Sequence, residues 1–291
     1  ILLGLIVLAS CKSKPSTEQE KSPAVEMDEK SFTVSPAPEW TELFLRKKGW
    51  FGGDGIFAIP FSGKDSEKKD SVLFVFSDTM IGEIENEKLL PGYVMVNNSV
   101  AVLKDKAPNA ADLTFKMATD AGKYKAIFTP NLTKPDKDIY YWLGDGFVNP
   151  DAGNDLFIFA YKIQNTNDQS QFPFKEIGNS LIRIPKGSTF PYKDQKQSDL
   201  PFNTYQKGEE SISFGAGLFN NAVKAGEPDA DGFLYVYGIK GIAKKLVCAR
   251  MKPESVESFD KWEFWDGRAW SGQVQNAAAL SDSVSNEMSM S

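Results

Sequence analysis

The chain of 291 residues contains no histidine and two cysteines, Cys11 and Cys248. The lack of histidine excludes Ser-His-Asp triads, histidine-ligated zinc sites and imidazole proton shuttles. Two cysteines are also too few for a cysteine metal cluster. Any acid–base or metal chemistry must therefore rest on carboxylates, lysine, tyrosine or water.

Basic charge is also in short supply. Lys and Arg total 33 against 39 Asp and Glu, which gives a formal net charge of −6. This balance argues against a nucleic-acid partner, and the absence of long Lys/Arg runs argues against a polybasic membrane patch. In contrast, the chain is 41% apolar and 12% aromatic. We therefore expect most of it to fold around a sizeable core.

The first residues predict export and anchoring. An apolar run, residues 1–10, stops at Cys11; it is too short to span a bilayer as a helix but fits the end of a signal-peptide hydrophobic region. "LASC" (8–11) resembles the lipobox of bacterial lipoproteins, whose cysteine is lipid-modified; the alternative is a chance cysteine behind a plain signal peptide. We predict that residues 1–11 are a truncated signal peptide with lipobox and that Cys11 is the lipidation site. The protein would then be extracytoplasmic and anchored to the bacterial outer membrane.

Residues 12–38 are rich in Pro, Ser, Lys and Glu, a composition typical of a flexible tether. The folded domain is predicted over residues 39–291, and its membrane contact is expected through the lipid anchor only. Cys248 lies in the apolar run "KLVCARM" (245–251), which predicts a buried, inert thiol.

Short apolar runs separated by Gly, Asp, Asn and Pro predict many β-strands. These runs are residues 71–78, 98–104, 155–163, 179–185, 232–239 and 245–251. They recur in one order: a Gly-rich opening segment, an aromatic strand, then a further strand. The opening segments are "GWFGGDGIFAIP" (49–60), "YYWLGDGFVNP" (140–150) and "ISFGAGLFNN" (212–221), and a fourth unit is expected to begin at "VSNEMSMS" (284–291).

The repeated order predicts an all-β fold, a β-propeller whose blades carry long insertions. Glycine at the start of each unit favours this fold over a sandwich of unrelated strands, because innermost blade strands crowd around one axis. About three blades and the start of a fourth are present. We therefore expect the domain to be C-terminally incomplete and the whole protein to be five-bladed.

Asp54 and Asp145 occupy the same place in the first two units, and Asp78 ends the next strand of the first unit. Paired carboxylates can hydrolyse a glycosidic bond, one as acid and the other as base or nucleophile. The same residues could instead hold a cation such as calcium, or could be ordinary turn aspartates. Trp142, three residues before Asp145, is the candidate sugar-stacking residue. The remaining tryptophans, including Trp262, Trp265 and Trp270, are expected to fill the core.

Two sets of motifs resemble one known family. "GGDGIFAIP" with "LFVFSDTMIG", and "SFGAGLFNN" with "DADGFLYVYGIKG", "KKLVCARM" and "FDKWEFWDGRAWS", are similar to a family of secreted bacterial five-bladed propellers long labelled as a domain of unknown function. Some relatives are endo-acting D-arabinanases, in which a carboxylate pair near the start of the domain is implicated. By motif match, the resemblance implies that this pair is Asp54 and Asp78.

Two functions follow from these observations. The first is a surface-anchored glycoside hydrolase that acts on an extracellular polysaccharide, with arabinan as one candidate. Asp54 and Asp78 would be its catalytic pair, Asp145 would assist or orient the substrate, and Trp142 would bind it. The second is a non-catalytic glycan-binding or scaffold lipoprotein. No metal ligand set is predicted, and calcium is the one cofactor that the carboxylates suggest.

Overall fold

The computed structural model describes residues 33–166, 168–202 and 211–290. They form antiparallel β-sheets with one short α-helix, so the prediction of an all-β fold is confirmed. Contacts divide the chain into Ile1–Ala37 and Pro38–Ser291. Cys11, the predicted signal peptide and the predicted tether as far as residue 32 lie outside the described residues. Within the described ranges, no helix has the length and apolar character needed to cross a membrane.

The described residues of the second unit contain one α-helix, nineteen strands and five short 3-10 helices. In chain order, the α-helix and strands are α1 (Pro38–Phe44), β1 (Lys48–Gly53), β2 (Phe57–Pro60), β3 (Val72–Phe76), β4 (Thr79–Glu85), β5 (Lys88–Leu89), β6 (Val94–Val96), β7 (Ser99–Leu103), β8 (Leu113–Lys116), β9 (Ala118–Asp120), β10 (Lys123–Lys125), β11 (Ile139–Asn149), β12 (Asp155–Asn165), β13 (Phe174–Ile184), β14 (Lys196–Asp199), β15 (Ile212–Asn221), β16 (Phe233–Lys240), β17 (Lys245–Met251), β18 (Glu263–Trp265) and β19 (Trp270–Ser271). The 3-10 helices are Pro150–Ala152, Val223–Ala225, Pro253–Ser255, Phe259–Lys261 and Val274–Asn276.

Three of the sheets are antiparallel meanders that follow the chain. The first sheet has the order β2-β3-β7-β8, the second β11-β12-β13-β14, and the third β15-β16-β17-β18-β19. The remaining strands form a fourth sheet of β1, β4, β5 and β6, and a β9–β10 hairpin. Strand β11 lies against both β2 and β15. The first strands of the three meanders are therefore neighbours, and each follows or contains a Gly-rich opening segment.

The three meanders stack face to face with the second in the middle. Residues 155–160 of β12 are all buried, and successive side chains of a strand point to opposite faces. Ile158 shares a core cluster with Ile59 of the first sheet, whereas Phe157 shares another with Val236 of the third sheet. Because β12 is covered on both faces, its sequence is a continuous apolar run instead of an alternating one.

Helix α1 covers the other face of the first sheet. It begins at Pro38, a residue favoured in the first helical turn because its missing N–H needs no partner there. Leu43 is the buried residue of this helix, and it belongs to the cluster that contains Trp50 and Phe76. The Trp50 and Phe76 rings lie 5.0 Å apart. This cluster closes the apolar face that the second sheet leaves uncovered.

Each Gly-rich opening segment breaks the regular pairing of a first strand. The register between β11 and β12 shifts between Leu143 and Gly146, and that between β15 and β16 shifts between Phe214 and Gly217. In the first unit the break separates β1 from β2. There the Asp54 N–H donates to the Asp78 carbonyl at 3.2 Å. The repeated glycines therefore mark equivalent irregularities, as β-bulges commonly do.

Buried asparagines connect one sheet to the next at these irregularities. The Asn98 side chain is fully buried, accepts from the Ile127 and Phe128 N–H groups and donates to the Phe128 and Tyr141 carbonyls. In the second sheet, Asn179 accepts from the Phe214 N–H of β15. Each asparagine supplies hydrogen-bond partners for backbone groups of another segment, and for Asn179 this group lies at the third break.

Gly215→Ala tests the close packing at the third break. Gly215 has φ +105°, and an added Cβ would lie 2.3 Å from Cβ of Phe159. Backbone strain and overpacking together should lower the free energy of unfolding by about 3 kcal/mol. Urea denaturation followed by tryptophan fluorescence measures the change.

The matched control is Gly178→Ala in β13, where the nearest atom to an added Cβ is Lys162 Cβ at 3.7 Å. This control should change the free energy of unfolding by no more than about 0.5 kcal/mol. Equal unfolding midpoints for the two variants would contradict the packing argument.

Candidate functional site

Asp78 follows β3 and is held by one side chain from β11 and one from the residue after β6. Its Oδ1 accepts from Trp142 Nε1 at 2.9 Å and from Asn97 Nδ2 at 3.3 Å. Trp142 belongs to β11, so this bond joins the second sheet to the first. Oδ2 of Asp78 has no hydrogen-bond partner among the described residues. One oxygen is thus held in position while the other remains available to a ligand.

Asp54 lies across the strand break from Asp78. Its N–H donates to the Asp78 carbonyl at 3.2 Å, and its own carbonyl accepts from the Ser77 N–H at 2.9 Å. Although Asp54 is an exposed residue, partial burial raises the pKa of its carboxyl, and the charges of Asp78 and Glu287 raise it further. The structure therefore brings Asp54, Asp78 and Trp142 together.

Asp145 makes a different set of contacts. Its Oδ1 accepts from the Gly146 N–H at 2.7 Å, and its Oδ2 accepts from the Leu218 N–H of β15 at 2.9 Å. Burial raises the pKa of this carboxyl to about 7, although both N–H groups act in the opposite direction. Asp145 thus ties the second sheet to the third and lies apart from the hydrogen bonds that join Asp78 to Trp142.

Trp142 is half-buried instead of being an open platform. Its ring meets Phe174 edge-on, with centroids 4.8 Å apart, and its N–H is used by Asp78. Its role in stacking a sugar stays a prediction. The other tryptophans differ from one another: Trp262 is fully buried in the core, as predicted, whereas Trp265 and Trp270 are half-exposed on the third sheet. Cys248 is free and buried, in agreement with its predicted inert role.

Sequence reasoning missed two members of this region, Asn97 and Glu287. Asn97 reaches Asp78 because β6 pairs with β4, a pairing that brings Thr79 opposite Val96. Glu287 acts on the Asp54 carboxyl from the segment predicted to start a fourth unit. The position of Glu287 in that segment could have indicated its role. The apolar pattern of the sequence gave no indication of the β4–β6 pairing that places Asn97.

The carboxylates do not form an evident metal site. Within residues 33–166, 168–202 and 211–290, no group of three or more Asp, Glu, Cys or His side chains could hold a metal ion. The calcium alternative therefore gains no support from the described part of the chain.

Asp145→Asn tests the buried carboxyl through the pH dependence of stability. The pKa is about 7 in the folded chain and about 3.9 when unfolded. The protonated carboxyl thus favours folding below about pH 4, and this contribution is lost as the pH rises through about 7. Between pH 4 and pH 8 the free energy of unfolding of Asp145→Asn should rise by about 2 kcal/mol relative to that of wild type. Solvent access to the carboxyl makes this difference smaller than the full pKa shift implies.

Urea denaturation at each pH measures this difference, and Asp229→Asn, in an exposed turn, controls for the removal of one carboxylate. A difference between Asp145→Asn and wild type that stays constant across this pH window would contradict the assignment.

Comparison with known proteins gives a family and a fold. A family model described as "Domain of unknown function (DUF5005)" matches residues 38–291. No curated protein matches the chain. A crystal structure described as that of a "putative hydrolase" from Bacteroides ovatus ATCC 8483 aligns with a TM-score of 0.58 and 20% identity. The alignment covers 81% of this chain and 58% of that one, so this chain spans little more than half the length of that protein.

At 20% identity, the structural likeness concerns the fold alone. The family model, in contrast, matches the whole second unit, including Asp54, Asp78, Trp142 and Asp145. The chain belongs to the family described as "Domain of unknown function (DUF5005)".

Proposed function

We propose that this chain is the glycoside-hydrolase domain of a surface-anchored lipoprotein, and that Asp54 and Asp78 are its catalytic pair. The observation that carries the proposal is their arrangement across the strand break. The Asp78 charge helps to raise the pKa of the Asp54 carboxyl, and a raised pKa in one of two neighbouring carboxyls is the pattern of an acid paired with a base or nucleophile.

The roles follow from the surroundings of each group. Asp54, with its raised pKa, acts as the acid that protonates the glycosidic oxygen. Asp78 is oriented through Oδ1 by Trp142 and Asn97. Its Oδ2 attacks the anomeric carbon in a retaining reaction or activates water in an inverting one. Asp145 orients the substrate from the adjacent strand, and the Trp142 ring contacts a sugar.

The three meanders are proposed to be propeller blades. Each begins with the strand that lies next to the neighbouring meander's first strand, as expected for blades around one axis. The substrate is proposed to be an extracellular polysaccharide, with arabinan as the first candidate. Cys11 would carry the lipid that holds the domain on the outer membrane, without a nucleic-acid partner.

Loss of either carboxylate should abolish hydrolysis. Wild type, Asp54→Asn and Asp78→Asn are assayed for reducing-end release on arabinan, arabinogalactan, xylan and β-glucan. Each variant should lose at least about 10³-fold in kcat/KM, because a missing acid or nucleophile removes several kcal/mol of transition-state stabilisation. Asp229→Asn, in an exposed turn, should retain full activity.

Turnover by Asp54→Asn equal to that of wild type would overturn the catalytic assignment. Binding of a glycan without hydrolysis by any form would instead support the non-catalytic glycan-binding function.

Trp142→Phe separates the positioning of Asp78 from sugar stacking. Phenylalanine keeps an aromatic ring but removes the N–H that Asp78 accepts. Loss of this charge-assisted bond should lower kcat about tenfold or more and leave KM within about twofold. Tyr140→Phe is the matched control, because the Tyr140 hydroxyl bonds to Asn165 instead of Asp78. A rise in KM with an unchanged kcat would contradict the positioning role.

A further inference from the structure

A cavity of about 340 Å³ lies at one end of the second sheet. Its floor contains Val148, Leu156 and Ile184, which lie opposite one another on β11, β12 and β13. Residues directly opposite in antiparallel strands share one face of the sheet, so these side chains form a continuous apolar row. The walls come from the segments that follow β2 and β13. The volume is within the range of small-molecule sites.

Tyr192 is the unusual side chain in the wall of this cavity. The residue is 7% exposed, and its ring stacks on that of Phe128 with centroids 6.0 Å apart. Its hydroxyl has no hydrogen-bond partner among the described residues, yet solvent reaches it, in contrast to the Tyr161 hydroxyl, which is sealed from water. Burial raises the pKa of Tyr192, so the hydroxyl stays protonated at neutral pH. A ligand in the cavity would supply the acceptor that a buried hydroxyl ordinarily has.

Two further polar side chains in the lining are free to meet a ligand. Asn154 lies in the turn between β11 and β12, and Lys186 follows β13. Neither side chain has a hydrogen-bond or ion-pair partner in the part of the chain that the structure describes. An ammonium group only donates hydrogen bonds, and an amide and a phenol both can. The free groups therefore suit a ligand that accepts hydrogen bonds and carries negative charge.

The carboxylates near this cavity are already engaged. No Asp or Glu of the described ranges lines it. Asp155, next to Asn154 in the chain, accepts from Arg183 Nε through Oδ2 and from the Lys186 N–H through Oδ1. Asp194 accepts from the Ser188 hydroxyl at 2.6 Å. One free ammonium among engaged carboxylates matches a single negative charge better than a doubly charged phosphate.

We propose that this cavity binds a small monocarboxylate with an apolar body. The carboxylate would accept from the Tyr192 hydroxyl and the Asn154 amide and would lie beside the Lys186 ammonium. The body would pack on the apolar row of the floor. This site stands independently of the hydrolase proposal, because neither Asp54 nor Asp78 lines it.

Isothermal titration calorimetry of the full chain at pH 7 tests this proposal with benzoate and hexanoate. Benzamide and hexanamide are the matched neutral probes, and glucuronate is the carboxylate with a polar body. At least one of benzoate and hexanoate should bind saturably, and at least tenfold more tightly than its amide and than glucuronate.

Two conservative variants test the residues. Tyr192→Phe keeps the ring that stacks on Phe128 and removes only the hydroxyl. It should weaken carboxylate binding about tenfold or more, because a hydrogen bond to a charged group is lost. Lys186→Gln should weaken binding about threefold, since this ammonium is exposed.

Tyr124→Phe and Lys193→Gln are the matched controls, because neither residue lines the cavity; both should bind as wild type does. Asp54→Asn should also bind within about twofold of wild type, which separates this site from the catalytic proposal. Circular dichroism melting of each variant checks that it is folded.

Three outcomes would overturn the proposal: no saturable binding of benzoate or hexanoate, equal binding of the carboxylates and their amides, or unchanged binding by folded Tyr192→Phe. Binding of glucuronate or inorganic phosphate more tightly than either apolar carboxylate would overturn it in favour of a polar anion site.

Discussion

The close approach of the β11 and β15 backbones is the constraint on which the rest of the structure depends. A Cβ added to Gly144 would lie 2.6 Å from the Gly215 carbonyl oxygen, so only glycine permits this separation. Gly215 in turn presses on Phe159 of the second sheet. Stacking of the second and third sheets and the buried aromatic cluster between them both require the two backbones to meet here.

The same close packing of backbones explains why the Asp145 and Asp54 carboxylates have different surroundings. A strand that breaks its pairing leaves backbone groups without ladder partners, and these must be satisfied locally. In the second unit, Asp145 takes up two such N–H groups, one of them from the third sheet. In the first unit, the Asp54 and Asp78 backbones pair with each other. Asp145 is thus drawn into the structure, whereas the Asp54 side chain remains exposed.

Much of this organisation could be predicted from local sequence. Apolar runs such as residues 155–163 correspond to strands because a strand buried on both faces needs apolar side chains throughout. Recurrent glycine indicated crowded first strands in successive units, because a missing Cβ is a local property of the sequence. The Asn97–Asp78 and Asp145–Leu218 bonds could not be predicted, because they depend on cross-strand register and sheet stacking, which join residues 19 and 73 positions apart.

The chain therefore contains two carboxylate environments, one at the Asp54–Asp78 pair and one at Asp145. At Asp78, one oxygen is fixed by Trp142 and Asn97 while the other has no described partner, an arrangement suited to a group that must meet a reacting atom in a defined direction. At Asp145, both oxygens accept backbone N–H groups. This carboxyl is therefore less free to react than that of Asp78. Asp54 and Asp145 are equivalent in sequence, yet Asp54 is exposed whereas the Asp145 carboxyl is held between the second and third sheets.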